Sequence, residues 1–138
     1  RVSMTQRNRT KIHLVVFAIL MAVGLLSTQV FADTINGPFY TIEVKKSKKK
    51  DKNVATITIT GTKGYHCNKL YPWKLKINPV EGLKFEKDTY TKKDAKQFSE
   101  KVVVFEVVYT GDKKASANLK MSLCNEKQCD RAKVDLTW

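Results

Sequence analysis

Beyond residue 32 the chain holds three cysteines, Cys67, Cys124 and Cys129, and one histidine, His66. These are the side chains best equipped for redox, nucleophilic or metal chemistry. Cys124 closes one alternating apolar run and Cys129 precedes another, with Asn125-Glu126-Lys127-Gln128 between them. That spacing predicts a hairpin connection. Cross-strand neighbours in a non-hydrogen-bonded pair lie about 4.5 Å apart at Cα, within reach of a disulfide. Cys124 and Cys129 are therefore the natural pair, and Cys67 is left over.

Three chemistries fit these residues. A structural bond would close a loop of about six residues and contribute roughly 2 kcal/mol by chain entropy. A bond at a strand end, near solvent, is also open to attack by a partner thiolate, the requirement for disulfide exchange. Thirdly, His66, Cys67, Cys124 and Cys129 are ligand types for zinc or Cu(I). Adjacent residues in a strand point to opposite faces, which weighs against His66 and Cys67 sharing one metal. The plainer reading makes His66 a hydrogen-bonded loop residue and Cys67 a small buried hydrophobe.

Other chemistry finds no support. No nucleophile-elbow motif accompanies His66. The acids are scattered and no glycine-rich phosphate loop occurs.

The elements that must position the cysteines are strands, because apolar residues recur with period two. Phe39–Val44, Val54–Thr60, Trp73–Ile77, Leu83–Phe85, Lys101–Tyr109, Ala117–Leu123 and Lys133–Trp138 read as seven strands. Lys101–Tyr109 is the most apolar and is expected to lie centrally. Thr91-Lys-Lys-Asp94 has capping-box spacing, so one or two helical turns are expected there, with Ala95 and Phe98 packing from one face. The predicted fold is all-β, an immunoglobulin-like two-sheet antiparallel sandwich of about seven strands. An up-and-down barrel is the second architecture. In such a sandwich the connections Thr62–Pro72 and Asn125–Arg131 share one end. Tyr65, His66, Cys67 and Tyr71 would then approach Cys124 and Cys129.

The N-terminus differs in kind. Four basic residues and no acid precede Leu14–Leu26, thirteen residues without a charge, and Val30-Phe31-Ala32 suits a cut after Ala32. This reads as a secretory signal peptide over residues 1–32, followed by one domain over 33–138. An uncleaved anchor, extended through Phe31, is the other reading. Export places the domain in the periplasm or outside the cell and permits disulfides.

The first 32 residues hold four of the 26 Lys+Arg and none of the 13 Asp+Glu, so the remainder carries +9. Its single Arg, Arg131, and its dispersed lysines argue against a nucleic-acid site. Lys45–Lys52 is expected in a turn, within a lysine-coated solvated surface. Weak contact with an anionic membrane surface is the remaining implication of the charge. With 138 residues, 6 Gly and 3 Pro, collagen-like and low-complexity classes are excluded.

Two stretches carry a family likeness: Gly64-Tyr-His-Cys-Asn-Lys-Leu-Tyr-Pro-Trp-Lys-Leu75, and Leu119-Lys-Met-Ser-Leu-Cys124-Asn-Glu-Lys-Gln-Cys129 followed by Lys133-Val-Asp-Leu136. Together they resemble the periplasmic N-terminal domain of the thiol:disulfide interchange protein DsbD. The resemblance implies an immunoglobulin-like sandwich with a redox pair at Cys124 and Cys129. Tyr65 and Tyr71 fall where that family carries aromatics near its active site. Lys127 and Arg131 are placed to stabilise a thiolate. The implied activity is a component of thiol–disulfide oxidoreduction. A monomer would pass reducing equivalents to or from an envelope protein with exchangeable thiols, with no cofactor beyond the disulfide. The competing expectation is a non-catalytic envelope binding or structural module with a hairpin disulfide. The pair is separated by four residues, one fewer than in the best-known members, and Cys67 is an extra cysteine.

Overall fold

Alternation of buried and exposed side chains runs through nearly every segment, and strands are the backbone form that satisfies it. In a computed structural model, residues 32–138 are described. The expected signal peptide, except Ala32, lies outside them.

Among the described residues eleven strands form: β1 (Ala32–Asn36), β2 (Tyr40–Lys49), β3 (Lys52–Gly61), β4 (His66–Cys67), β5 (Lys74–Ile77), β6 (Lys84–Phe85), β7 (Thr89–Thr91), β8 (Gln97–Phe98), β9 (Val102–Thr110), β10 (Ser116–Cys124) and β11 (Cys129–Thr137). All pairings are antiparallel. One sheet has the order β1-β2-β3-β9-β6, with β8 also on β9. The second has the order β11-β10-β5-β7, with β4 also on β10. This is the expected two-sheet, immunoglobulin-like sandwich.

The first sheet buries Ile42, Val44, Ile57, Ile59, Phe105 and Val107. They meet Leu75, Leu119, Met121, Leu123 and Leu136 from the second sheet in one core. Trp73 is buried at its margin, edge-on to Phe98 with ring centroids 5.7 Å apart. Its indole Nε1 donates to the Asn68 carbonyl at 2.8 Å, which gives the ring's one polar group a partner.

Several expectations need correcting. β2 and β3 pair without interruption from Tyr40↔Gly61 to Lys49↔Lys52. Most of Lys45–Lys52 is therefore strand, and the turn contracts to Lys50 and Asp51. Lys50 adopts φ 59° there. β1 (Ala32–Asn36) is a strand absent from the seven expected, and it pairs along β2. β4, β7 and β8 are two or three residues long, too short to show a period. The capping box at Thr91 and Asp94 is present, on a single 3-10 turn at Lys92–Asp94. Phe98 belongs instead to β8 and packs on Trp73.

Candidate functional site

The β10–β11 hairpin pairs Ser116↔Thr137 through to Cys124↔Cys129. The Asn125 N–H donates to the Gln128 carbonyl at 2.9 Å, and Asn125 Oδ1 accepts from the Lys127 and Gln128 N–H groups, each at 2.9 Å. Asn is suited to this turn because its side chain imitates a backbone acceptor. Cys124 and Cys129 form a disulfide. They share a face with Lys120, Ser122, Arg131 and Lys133, the outer side of the second sheet, on which Ser122 and Cys124 are buried and Cys129 is exposed, so the bond closes the hairpin on the side away from the inter-sheet core.

The topology gathers the predicted residues at this end. His66 lies opposite Cys124, and Cys67 opposite Leu123. As adjacent strand residues they part company: His66 is exposed and Cys67 is buried, with 0% of its surface accessible. Burial pushes the Cys67 thiol up to about 11. The thiolate is the reactive and metal-binding form, so Cys67 does not support chemistry at the hairpin. No group of three or more His, Cys, Asp or Glu able to hold a metal occurs among the described residues. The sulfurs of Cys124 and Cys129 are committed to each other.

Tyr65 and Tyr71 flank the hairpin in different ways. The Tyr65 hydroxyl donates to Asp130 Oδ2 at 2.6 Å, and Gln128 Nε2 donates to the same oxygen at 2.8 Å. The Tyr65 bond, then the Gln128 bond, hold the Asp130 carboxyl below its ordinary range. The Asp130 bond is also the main cause that raises the Tyr65 hydroxyl. Phe39 stacks on Tyr65 at 5.1 Å. Gly61 admits this arrangement, because a Cβ there would sit 2.0 Å from the Tyr65 carbonyl oxygen. Tyr71 lies under Arg131, whose guanidinium carbon is 5.7 Å from the ring centroid. Lys127 is exposed at the turn.

The loop between β4 and β5 is held against the outer face. The Asn68 N–H donates to the Ser122 carbonyl at 2.9 Å, and Asn68 Oδ1 accepts from the Leu70 N–H at 3.0 Å. Lys92 Nζ donates to the Lys69 carbonyl at 2.7 Å. This loop presents Leu70 to solvent, 92% exposed.

Beside this loop lies a feature that residue types alone did not single out. Lys120 is opposite Lys74 on one side and Lys133 on the other. The three ammonium groups line up across β5, β10 and β11, all exposed, and none has a carboxylate partner among the described residues. Like charges directly opposite in a sheet repel. Beyond Lys133 the nine-residue strand β11 pairs only with β10, so its outer N–H and C=O groups are open. The signal in the sequence was the solvent-face position of each lysine. Their alignment depends on register.

A shallow depression of about 270 Å³ lies elsewhere, lined by Glu86, Lys87, Tyr90, Asp94 and Glu106 among others. Lys52–Glu86 and Lys87–Asp94 ion pairs satisfy much of its charge internally.

No family model and no curated protein matches the sequence. Solved structures do match. The GAE domain of GGA2p from Saccharomyces cerevisiae superposes with a TM-score of 0.50 at 8% identity, covering 78% of this chain and 97% of that one. The yeast GGA1 GAE domain gives 0.48 at 10% identity, with 76% and 96% covered. At such identities the likeness is one of fold. It runs to gamma-adaptin ear domains and not to the DsbD N-terminal domain, so the recognition drawn from the cysteine hairpin is corrected. The thiol–disulfide exchange activity rested on that recognition and falls with it, as does the envelope binding or structural module set beside it. The periplasmic or secreted placement is corrected too, because it rested on the same recognition and the matched structures are GAE domains, themselves cytosolic adaptor domains. The hairpin misled because a Cys pair joining two strands is a local motif, compatible with many sandwiches.

Proposed function

We propose that this domain is a protein-interaction module that takes an extended acidic segment of a partner protein along β11 and the lysine row of the second sheet. The observation that carries this is the alignment of Lys74, Lys120 and Lys133 next to an open strand edge. An added strand would satisfy the free backbone groups of β11, and its acidic side chains would relieve the repulsion along the row. The same charges disfavour pairing between two copies, since Arg131 and Lys133 would meet their own kind. The shared fold is used for protein interaction in the adaptor ear domains, which agrees with a protein partner.

The test is fluorescence anisotropy of a labelled peptide of alternating Glu and Val, titrated with the full chain at low salt. Binding should weaken at least tenfold in the double variant Lys120→Glu, Lys133→Glu, and should weaken steeply with salt. The variant Lys48→Glu, Lys49→Glu, with charge altered at the opposite sheet's hairpin, should bind as the parent does. Equal losses in both variants would reduce the effect to net charge and overturn the proposal.

A further inference from the structure

The second concentration of positive charge is at the tip of the β2–β3 hairpin. β1 ends its pairing with β2 at Ala32↔Lys45, and β9 ends its pairing with β3 at Asn53↔Tyr109. The hairpin continues past both to Lys49↔Lys52. Residues 46–52 are all exposed. Lys45 is paired with Glu43 at 2.8 Å and Lys52 with Glu86 at 2.5 Å. Lys46, Lys48, Lys49 and Lys50 have no carboxylate partner among the described residues, and Asp51 is the tip's single acid.

Chain direction adds an independent observation. β1 runs antiparallel to β2, so residues before Ala32 join the fold on the side from which the tip projects. Leu14–Leu26 in that segment is uncharged. From Lys45 to Lys50 the hairpin advances about 17 Å at the usual strand rise. The six steps from Leu26 to Ala32 can extend by at most about 20 Å. An apolar run held in lipid would therefore leave the lysine tip able to reach the headgroups, inside the ~8 Å over which charge acts at physiological salt.

We infer that the β2–β3 tip is a membrane-contact element, which seats the domain on an anionic lipid surface entered by the Leu14–Leu26 segment. Lys46, Lys48, Lys49 and Lys50 supply the attraction, and two-strand pairing keeps them projected. This inference stands on different residues from the acidic-segment site.

The experiment uses the full chain with vesicles of phosphatidylcholine alone or with 30% phosphatidylserine. The apolar segment contributes to both, so the ratio of the two affinities isolates the charge effect. Each lysine near such a surface is worth about fivefold, so changing all four to Glu should collapse the anionic preference by about 600-fold or more. Changing Lys74, Lys120 and Lys133 to Glu should leave that preference within about threefold, although it abolishes acidic-peptide binding. An environment-sensitive dye on Ser47→Cys should shift to the blue with anionic vesicles. Loss of preference in the sheet variant instead of the tip variant, an unmoved dye, or a mature protein beginning at Asp33 would each overturn the inference.

Discussion

Cys67 allows a pH experiment whose size follows from the structure. Its side chain is fully buried in the core, and burial alone pushes the thiol from 9.0 to about 11. In the unfolded chain the thiol ionises at the lower value. Between the two, unfolding releases a proton, so stability must fall as pH rises. The contribution is intact below pH 9 and is lost as pH approaches the folded value. At 1.36 kcal/mol per unit, the loss is about 2 kcal/mol by pH 10.5 and levels off near about 2.7 kcal/mol well above pH 11. Tyr90 and Tyr109 are raised by burial as well and act in the same direction. The comparison is therefore with Cys67→Ala, in which those groups and the lysines are unchanged. Urea unfolding followed by the fluorescence of the buried Trp73 and Trp138 would be run on both proteins from pH 7 to 10.5. The alanine variant should be the less stable below pH 9, and the gap should close by about 2 kcal/mol at pH 10.5. A gap that stays constant with pH would refute the burial argument.

Replacing Cys124 and Cys129 by Ser should cost about 2 kcal/mol, the chain-entropy value for a loop of six residues, with the far-ultraviolet dichroism of the sheets retained. Tyr65→Phe removes the main cause that holds Asp130 low, so its carboxyl should titrate closer to 3.8 by NMR. The stability that Asp130 contributes above that value, and loses as pH falls through its folded value, should shrink accordingly. Gly61→Ala forces a methyl onto the Tyr65 carbonyl and should lower the unfolding free energy by about 1–3 kcal/mol in urea titrations. Leu70→Asp should change that free energy by no more than about 0.5 kcal/mol and weaken acidic-peptide binding in the anisotropy assay.

Much of the fold was legible along the chain, because a half-buried strand writes its two faces into alternate residues. Leu75 and Ile77 between Lys74, Lys76 and Asn78, and Leu119, Met121 and Leu123 between Asn118, Lys120 and Ser122, declare an inner and an outer side before any sheet exists. The Cys124–Cys129 pairing was legible for the same local reason, since five positions around a turn leave little freedom. The opposite orientations of His66 and Cys67 also followed from strand geometry.

What the sequence by itself determined was therefore local: strand faces, the disulfide hairpin, the capping box at Thr91, and the inward or outward direction of each side chain. Tertiary structure decided which strands are neighbours and in what register. Lys74, Lys120 and Lys133 are 46 and 13 positions apart along the chain. Only the pairing of β5, β10 and β11 brings their charges side by side. β1 shows the same dependence: Ala32–Asn36 has little alternation of its own and becomes a strand because β2 offers it an edge. That edge also sets where the N-terminal segment joins the domain, beside the lysine tip. The physical reason is common to these cases: side-chain direction is fixed by residues one and two positions away, whereas register is fixed by the packing of the whole core.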